Sequence, residues 1–360
     1  MKAGQLRHWL TIGMVGWAGL VMCVPLAFAE QAGAKNLPVP VLQGVAHLRV
    51  AYAENPRFAP LSPAQLESVL GHAVVAVQHH FGIKLSFTRL ERVHLSDLFS
   101  GITAKARAGA EKERLDATTY EPTRERLARI TLKSLQEDGD IYAQRAFALP
   151  YLLEPPEDNS PMAFARALVA TQHRLLKTWA DAPALDGKPL LGADRFNEYT
   201  WWLALGNSDM PYDLILTNQL IASAEWEGNS VHSALRGGVS NGITTQSRRS
   251  QFKLYSVVSS FPFLDGAAQT RRLRGEEGRP VNPTEEASRQ MGLMVAHELG
   301  HQLLHLGHPF KNPHCVMTPP VRLEFAKWAN GLSAEKCPLG ESVANTRGAV
   351  KFTNLETVFK

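Results

Sequence analysis

The sequence predicts an α/β (α+β) fold, a sheet carrying long helices, interrupted by a helical insertion. Three observations predict it. Strand and helix signals alternate over residues 47–93. A long helix with strong start signals begins near residue 283. Between strand signals on either side, residues 95–210 are charged and helix-favouring.

His47-Leu48-Arg49-Val50-Ala51-Tyr52 alternates with the period of a strand. Ser62-Pro63 then opens a helix, with a capping Ser, Pro at the first helical position and Glu67 further in. That helix runs to about Phe81 and ends at Gly82, and residues 83–93 read as a second strand. Within the insertion, 103–115, 123–137 and 161–180 are helical, and the run from Pro155 to Ser160 is a turn-rich break. Tyr199, Trp201 and Trp202 near its end read as core aromatics. Residues 212–217 and 252–259 are strand signals, and the Gly-rich run Gly237-Gly238-Val239-Ser240-Asn241-Gly242 suits a tight hairpin. That run lacks the GxxxxGK[ST] context of a phosphate loop. Asn282-Pro283-Thr284-Glu285 opens the last long helix, with Asn as cap and Glu285 able to reach back to it.

Hydrophobic residues make up 44% of the 360 and charged residues 20%, as in a folded globular protein. Residues 1–29 read as an export signal: basic Lys2 and Arg7, an apolar run, and the small-x-small ending Ala27-Phe28-Ala29. A mature chain from Glu30 is therefore expected in the periplasm or outside the cell, with no later membrane span. Loss of Lys2 and Arg7 lowers the formal net charge from +4 to +2, which argues against nucleic acid as a partner. Cys23 leaves with the signal. Cys315 and Cys337 remain, either as a disulfide suited to an exported protein or as two free thiols.

Chemistry concentrates at the end of the last helix. Five of the 13 histidines, His297, His301, His305, His308 and His314, fall within 18 residues. His297 and His301, four apart, share one helix face and can reach one zinc ion. Glu298, about 100° round the helix, stands beside the metal and can take a proton from an activated water. Two histidines flanking a glutamate at this spacing form the zinc-peptidase pattern H-E-x-x-H. For the third ligand, His308 is preferred, because a helix stop at Gly307 and Pro309 would turn the chain back to the metal. His305 and then His314 are the competitors.

The run from His297 to Pro309 resembles the extended zinc motif of the metzincins, H-E-x-x-H-x-x-G-x-x-H, and Cys315-Val316-Met317 resembles their Met-turn. Leu304 stands where the family has glycine, and Gly307 where it has the third histidine, as if one residue had been added after His301. The resemblance implies a zincin-like twisted mixed sheet with an active-site helix. It implies an upper subdomain over 30–94 and 211–309, with 95–210 as an insertion foreign to the family. A small C-terminal subdomain over 310–360 would carry the Met-turn, with Met317 as an apolar floor under zinc. It also implies an edge strand that aligns the substrate backbone, with 238–245 or 252–259 as candidates. The expected activity is Glu298-assisted hydrolysis of a protein or peptide by a zinc metalloendopeptidase. Two alternatives stay open: a gluzincin-type peptidase with Glu324, on a helix over 322–330, as third ligand, and a zinc-binding envelope protein without catalysis.

Overall fold

The computed structural model describes residues 41–337, apart from 43–44, 89, 113, 116–119, 138–144, 147, 181, 191–194, 197–200, 203, 223–234, 241–253, 265–283, 305 and 310–311. The expected export signal, the Asn282 cap, Tyr199 and His305 lie outside the described residues.

The strands are β1 (Val41–Leu42), β2 (Val45–Leu48), β3 (Val50–Glu54), β4 (Lys84–Phe87), β5 (Glu91–His94), β6 (Arg114–Leu115), β7 (Arg195–Phe196), β8 (Leu214–Thr217), β9 (Ile221–Ala222), β10 (Leu235–Arg236), β11 (Gly238–Ser240) and β12 (Ser256–Ser259). The helices are α1 (Pro63–Phe81), α2 (Leu95–Ser100), α3 (Ala104–Lys112), α4 (Tyr120–Glu137), α5 (Pro161–Ala180), α6 (Phe261–Leu264), α7 (Thr284–Leu304) and α8 (Phe325–Gly331). The fold is thus mixed α/β around a mixed sheet.

The central sheet has the order β11-β12-β8-β3-β5. Its four strands from β12 to β5 are parallel, and β11 runs antiparallel along the edge. Of the two candidate edge segments, only the one containing β11 is an edge, since β12 lies between β11 and β8. Every residue of β8 and β12 is buried, as both faces of a parallel sheet must be covered. Val50, Tyr52, Leu214, Leu216 and Val258 face α1 and α7 in the larger core. Ala51, Ala53, Ile215 and Val257 face the opposite way, onto Leu95, Leu98, Trp201, Trp202 and Tyr255. The ends of the insertion therefore cover the sheet's second face, and Trp201 and Trp202 are core residues.

The two expected strands at 47–52 and 83–93 are each split between sheets. Leu48 pairs with Phe87 in a small sheet, whereas Ala51 pairs with Glu91 in the central one. Two residues separate these pairs on the earlier segment and three on the later one.

Helix α1 begins as its sequence dictates: Ser62 and Gln65 close a reciprocal capping box, and Gly82 takes the left-handed conformation (φ 70°) at the end. It packs along α7, where Gly292 allows close approach; a Cβ there would lie 2.5 Å from His72 Cβ and 3.0 Å from the Ala73 nitrogen. Glu285, expected to reach back to the Asn282 cap, reaches across to α1, accepting from Ser68 Oγ at 3.0 Å and pairing with His72 Nε2 at 2.8 Å; the cap itself lies outside the described residues. Among the described residues no helix is long and apolar enough to cross a membrane.

Candidate metal centre

Helix α7 runs through the core, and nearly every residue from Ala287 to Leu304 is buried. His297, Glu298 and His301 are buried with it, while His308 is part-exposed. The predicted stop at Gly307 comes early: α7 ends at Leu304, and the Leu306 N–H bonds back to the Gly300 carbonyl at 3.2 Å. The left-handed glycines among the described residues are Gly82 and Gly187, so Gly307 is not used as a left-handed stop. Leu306 closes the helix through its own backbone, and the chain then carries His308 back against α7.

Three imidazole nitrogens converge. His301 Nε2 lies 3.2 Å from His297 Nε2 and 3.1 Å from His308 Nε2, and His308 Nε2 lies 3.3 Å from His297 Nε2. For two of them the other nitrogen fixes the tautomer. His297 Nδ1 donates to the Val316 carbonyl at 2.8 Å and His301 Nδ1 to the Leu306 carbonyl at 2.6 Å. A carbonyl oxygen only accepts, so each Nδ1 carries the proton and each Nε2 presents a lone pair. Burial pushes the His297 imidazole down to about 4, against the opposing pull of its bond to Val316, and keeps it neutral near pH 7. Lone pairs facing one another at these distances repel unless a cation lies among them. Tetrahedral nitrogen ligands at about 2.0–2.1 Å from zinc stand about 3.3–3.4 Å apart, so the triad fits such an ion closely. These three histidines lie close enough together to bind a metal ion.

The other candidates stand elsewhere. His314 Nδ1 donates to the Gly331 carbonyl at 2.7 Å. Glu324 precedes α8 and pairs with Lys327 at 3.4 Å, outside the histidine cluster.

Glu298 points to the sheet edge. A Cβ on Gly238 of β11 would stand 2.6 Å from both Glu298 Cγ and Oε1, so only glycine leaves room for the carboxylate. Met317, fully buried, packs beneath α7 against Gly300. Its segment is tied down by the Cys315–Cys337 disulfide (Cα–Cα 5.0 Å), which resolves the earlier choice between disulfide and free thiols. Trp328 Nε1 donates to the Thr318 carbonyl at 2.7 Å, and its ring stands edge-on to His297 at 6.4 Å.

Sequence reasoning did not find the two carbonyls that orient the ring nitrogens, nor the partnership of Gly238 with Glu298. A lone glycine in a Gly-rich run gives no sign of which side chain it must admit. No family model, no curated protein and no solved structure matches the chain.

Proposed function

We propose that the protein is an exported, zinc-dependent metallopeptidase of the metzincin type. The carrying observation is the convergence of three Nε2 atoms, from His297, His301 and His308, beside a buried glutamate on the helix that bears the first two. His297, His301 and His308 would hold the ion, and their three neutral rings leave its charge intact. Zinc bound there would supply Lewis acidity, acidifying a water and polarising a peptide carbonyl.

The chain's own groups do the rest. Glu298 takes the proton from the attacking water and passes it to the departing amine. Val316 and Leu306 keep the His297 and His301 rings aimed through their carbonyls. Met317 gives the histidines a dry floor. The edge strand β11 is the natural place for an extended peptide to add alongside the sheet, and it borders Glu298 at Gly238. The substrate class is accordingly a protein or peptide, and the expected location is the periplasm or the cell exterior. The upper subdomain (30–94 and 211–309), the insertion (95–210) and the C-terminal subdomain (310–360) divide this work as the resemblance implies.

The testing pair is wild type against Glu298→Ala. The variant is expected to keep about one zinc per chain and to lose hydrolysis of a mixed peptide library. Equal hydrolysis by both proteins would remove Glu298 from its role. Zinc without hydrolysis in either would favour a non-catalytic zinc protein.

A further inference from the structure

The segment from Val316 to Pro319 is held by side chains from three different elements. The Val316 carbonyl accepts from His297 on α7 at 2.8 Å. The Thr318 carbonyl accepts from Trp328 on α8 at 2.7 Å. The Pro319 carbonyl accepts from the Tyr151 hydroxyl, inside the insertion, at 2.7 Å. Tyr151 sits in a one-turn helix, Leu149–Tyr151, between α4 and α5. Two residues beyond Pro319, Val321 packs against the insertion's own small core of Leu135, Tyr151, Phe164 and Leu168. The same strap then reaches Leu323, which is held at φ 65°, a left-handed conformation that is unfavourable for a non-glycine residue. A strained strap keeps its shape only while its anchors hold.

We propose that Tyr151 is a positioning residue for the metal centre, so that docking of the helical insertion and metal binding stabilise one another. The inference rests on the metal-site reading of the three histidines. The carbonyl that aims His297 lies three residues from the carbonyl that Tyr151 holds, on one short piece of chain. Fixing the far end restricts where the near carbonyl can point, and with it the lone pair on His297 Nε2. Burial raises the Tyr151 hydroxyl's pKa, so it stays a donor across the range in which histidines bind metal. Coupling of this kind is reciprocal: whatever the insertion contributes to metal affinity, the metal returns to the insertion's docking.

The test uses the mature chain. Zinc dissociation constants are measured by chelator competition for wild type and Tyr151→Phe, together with the visible absorption of the Co2+ forms. Zinc is expected to bind about three- to tenfold more weakly to the variant, a smaller change than for a group touching the ligand directly. The Co2+ bands should shift. In the wild type, zinc should slow amide exchange at 164–168, within the insertion core. A tyrosine that merely stabilised the fold would lower the melting temperature of the metal-free variant and leave zinc affinity and Co2+ spectrum unchanged. That result overturns the inference alone, whereas absence of zinc binding in the wild type overturns the metal reading as well. Should Tyr151→Phe not fold, the exchange measurement on wild type decides, and zinc without effect at 164–168 sinks the coupling.

Discussion

Gly300 and Met317 are in such close contact that a methyl group on Gly300 would overlap the methionine sulfur, with the Phe81 ring 2.9 Å away on another side. The glycine between the two helix histidines is therefore a packing requirement. It lets the Met317 segment, with its Val316 carbonyl, come up beneath the histidine cluster. Gly300→Ala gains up to ~1 kcal/mol of helix propensity and loses about 1–3 kcal/mol to overpacking. The expected net effect is destabilising, read as a lower urea midpoint. In a Met317→Ala background the same substitution should cost less, because the sulfur is gone.

Gly238 plays the matching part for the carboxylate. Gly238→Ala would push Glu298 from its place beside β11 while leaving the three histidines untouched. Zinc content is expected to stay near wild type, while kcat/KM falls about 100-fold or more, as for loss of a general base. Zinc loss in step with activity would mean that the substitution disturbs α7 as a whole.

The disulfide closes a loop with a sequence separation of 22 residues, which begins two residues before Met317 and contains it. Replacing both Cys315 and Cys337 with Ala should lower unfolding free energy by about 3 kcal/mol in the chain-entropy model. Denaturation with and without a reducing agent checks this: wild type should lose stability on reduction, and the double variant should be indifferent.

Stability should also depend on pH through His80. Burial, helped by the neighbouring His79, pushes its imidazole from 6.5 down to about 4. Between those values the unfolded chain binds a proton that the folded protein does not, so this group's contribution falls as pH drops from about 6.5 to about 4. Thermal melts of metal-free protein across that window should show a shallower decline for His80→Phe than for wild type.

Much of this architecture was legible in the sequence where the information is local. Ser62, Pro63 and Gly82 mark the ends of α1 because caps act on the adjacent backbone, and α5 matched its predicted span for the same reason. The four-residue spacing of His297 and His301 placed both on one helix face. Non-local choices were hidden. Glu285 pairs with a histidine on another helix, and β2 and β3 pair in two different sheets although they are adjacent in sequence. A turn near Gly307 that brings His308 back to His297 and His301 was legible; that the helix end is closed by the Leu306 N–H and not by a left-handed glycine was not.

Helix α7 is enclosed on nearly all sides, whereas the His308 side chain, beyond the helix end, is itself part-exposed. In evolutionary terms the two kinds of candidate ligand have unequal freedom. A change at His297 or His301 disturbs the centre of the molecule, and selection on folding opposes it whatever the metal. A change at His308 to Asp or Cys alters the donor set at little cost to the core, so the preference for one cation over another can drift, or be engineered, at a single position.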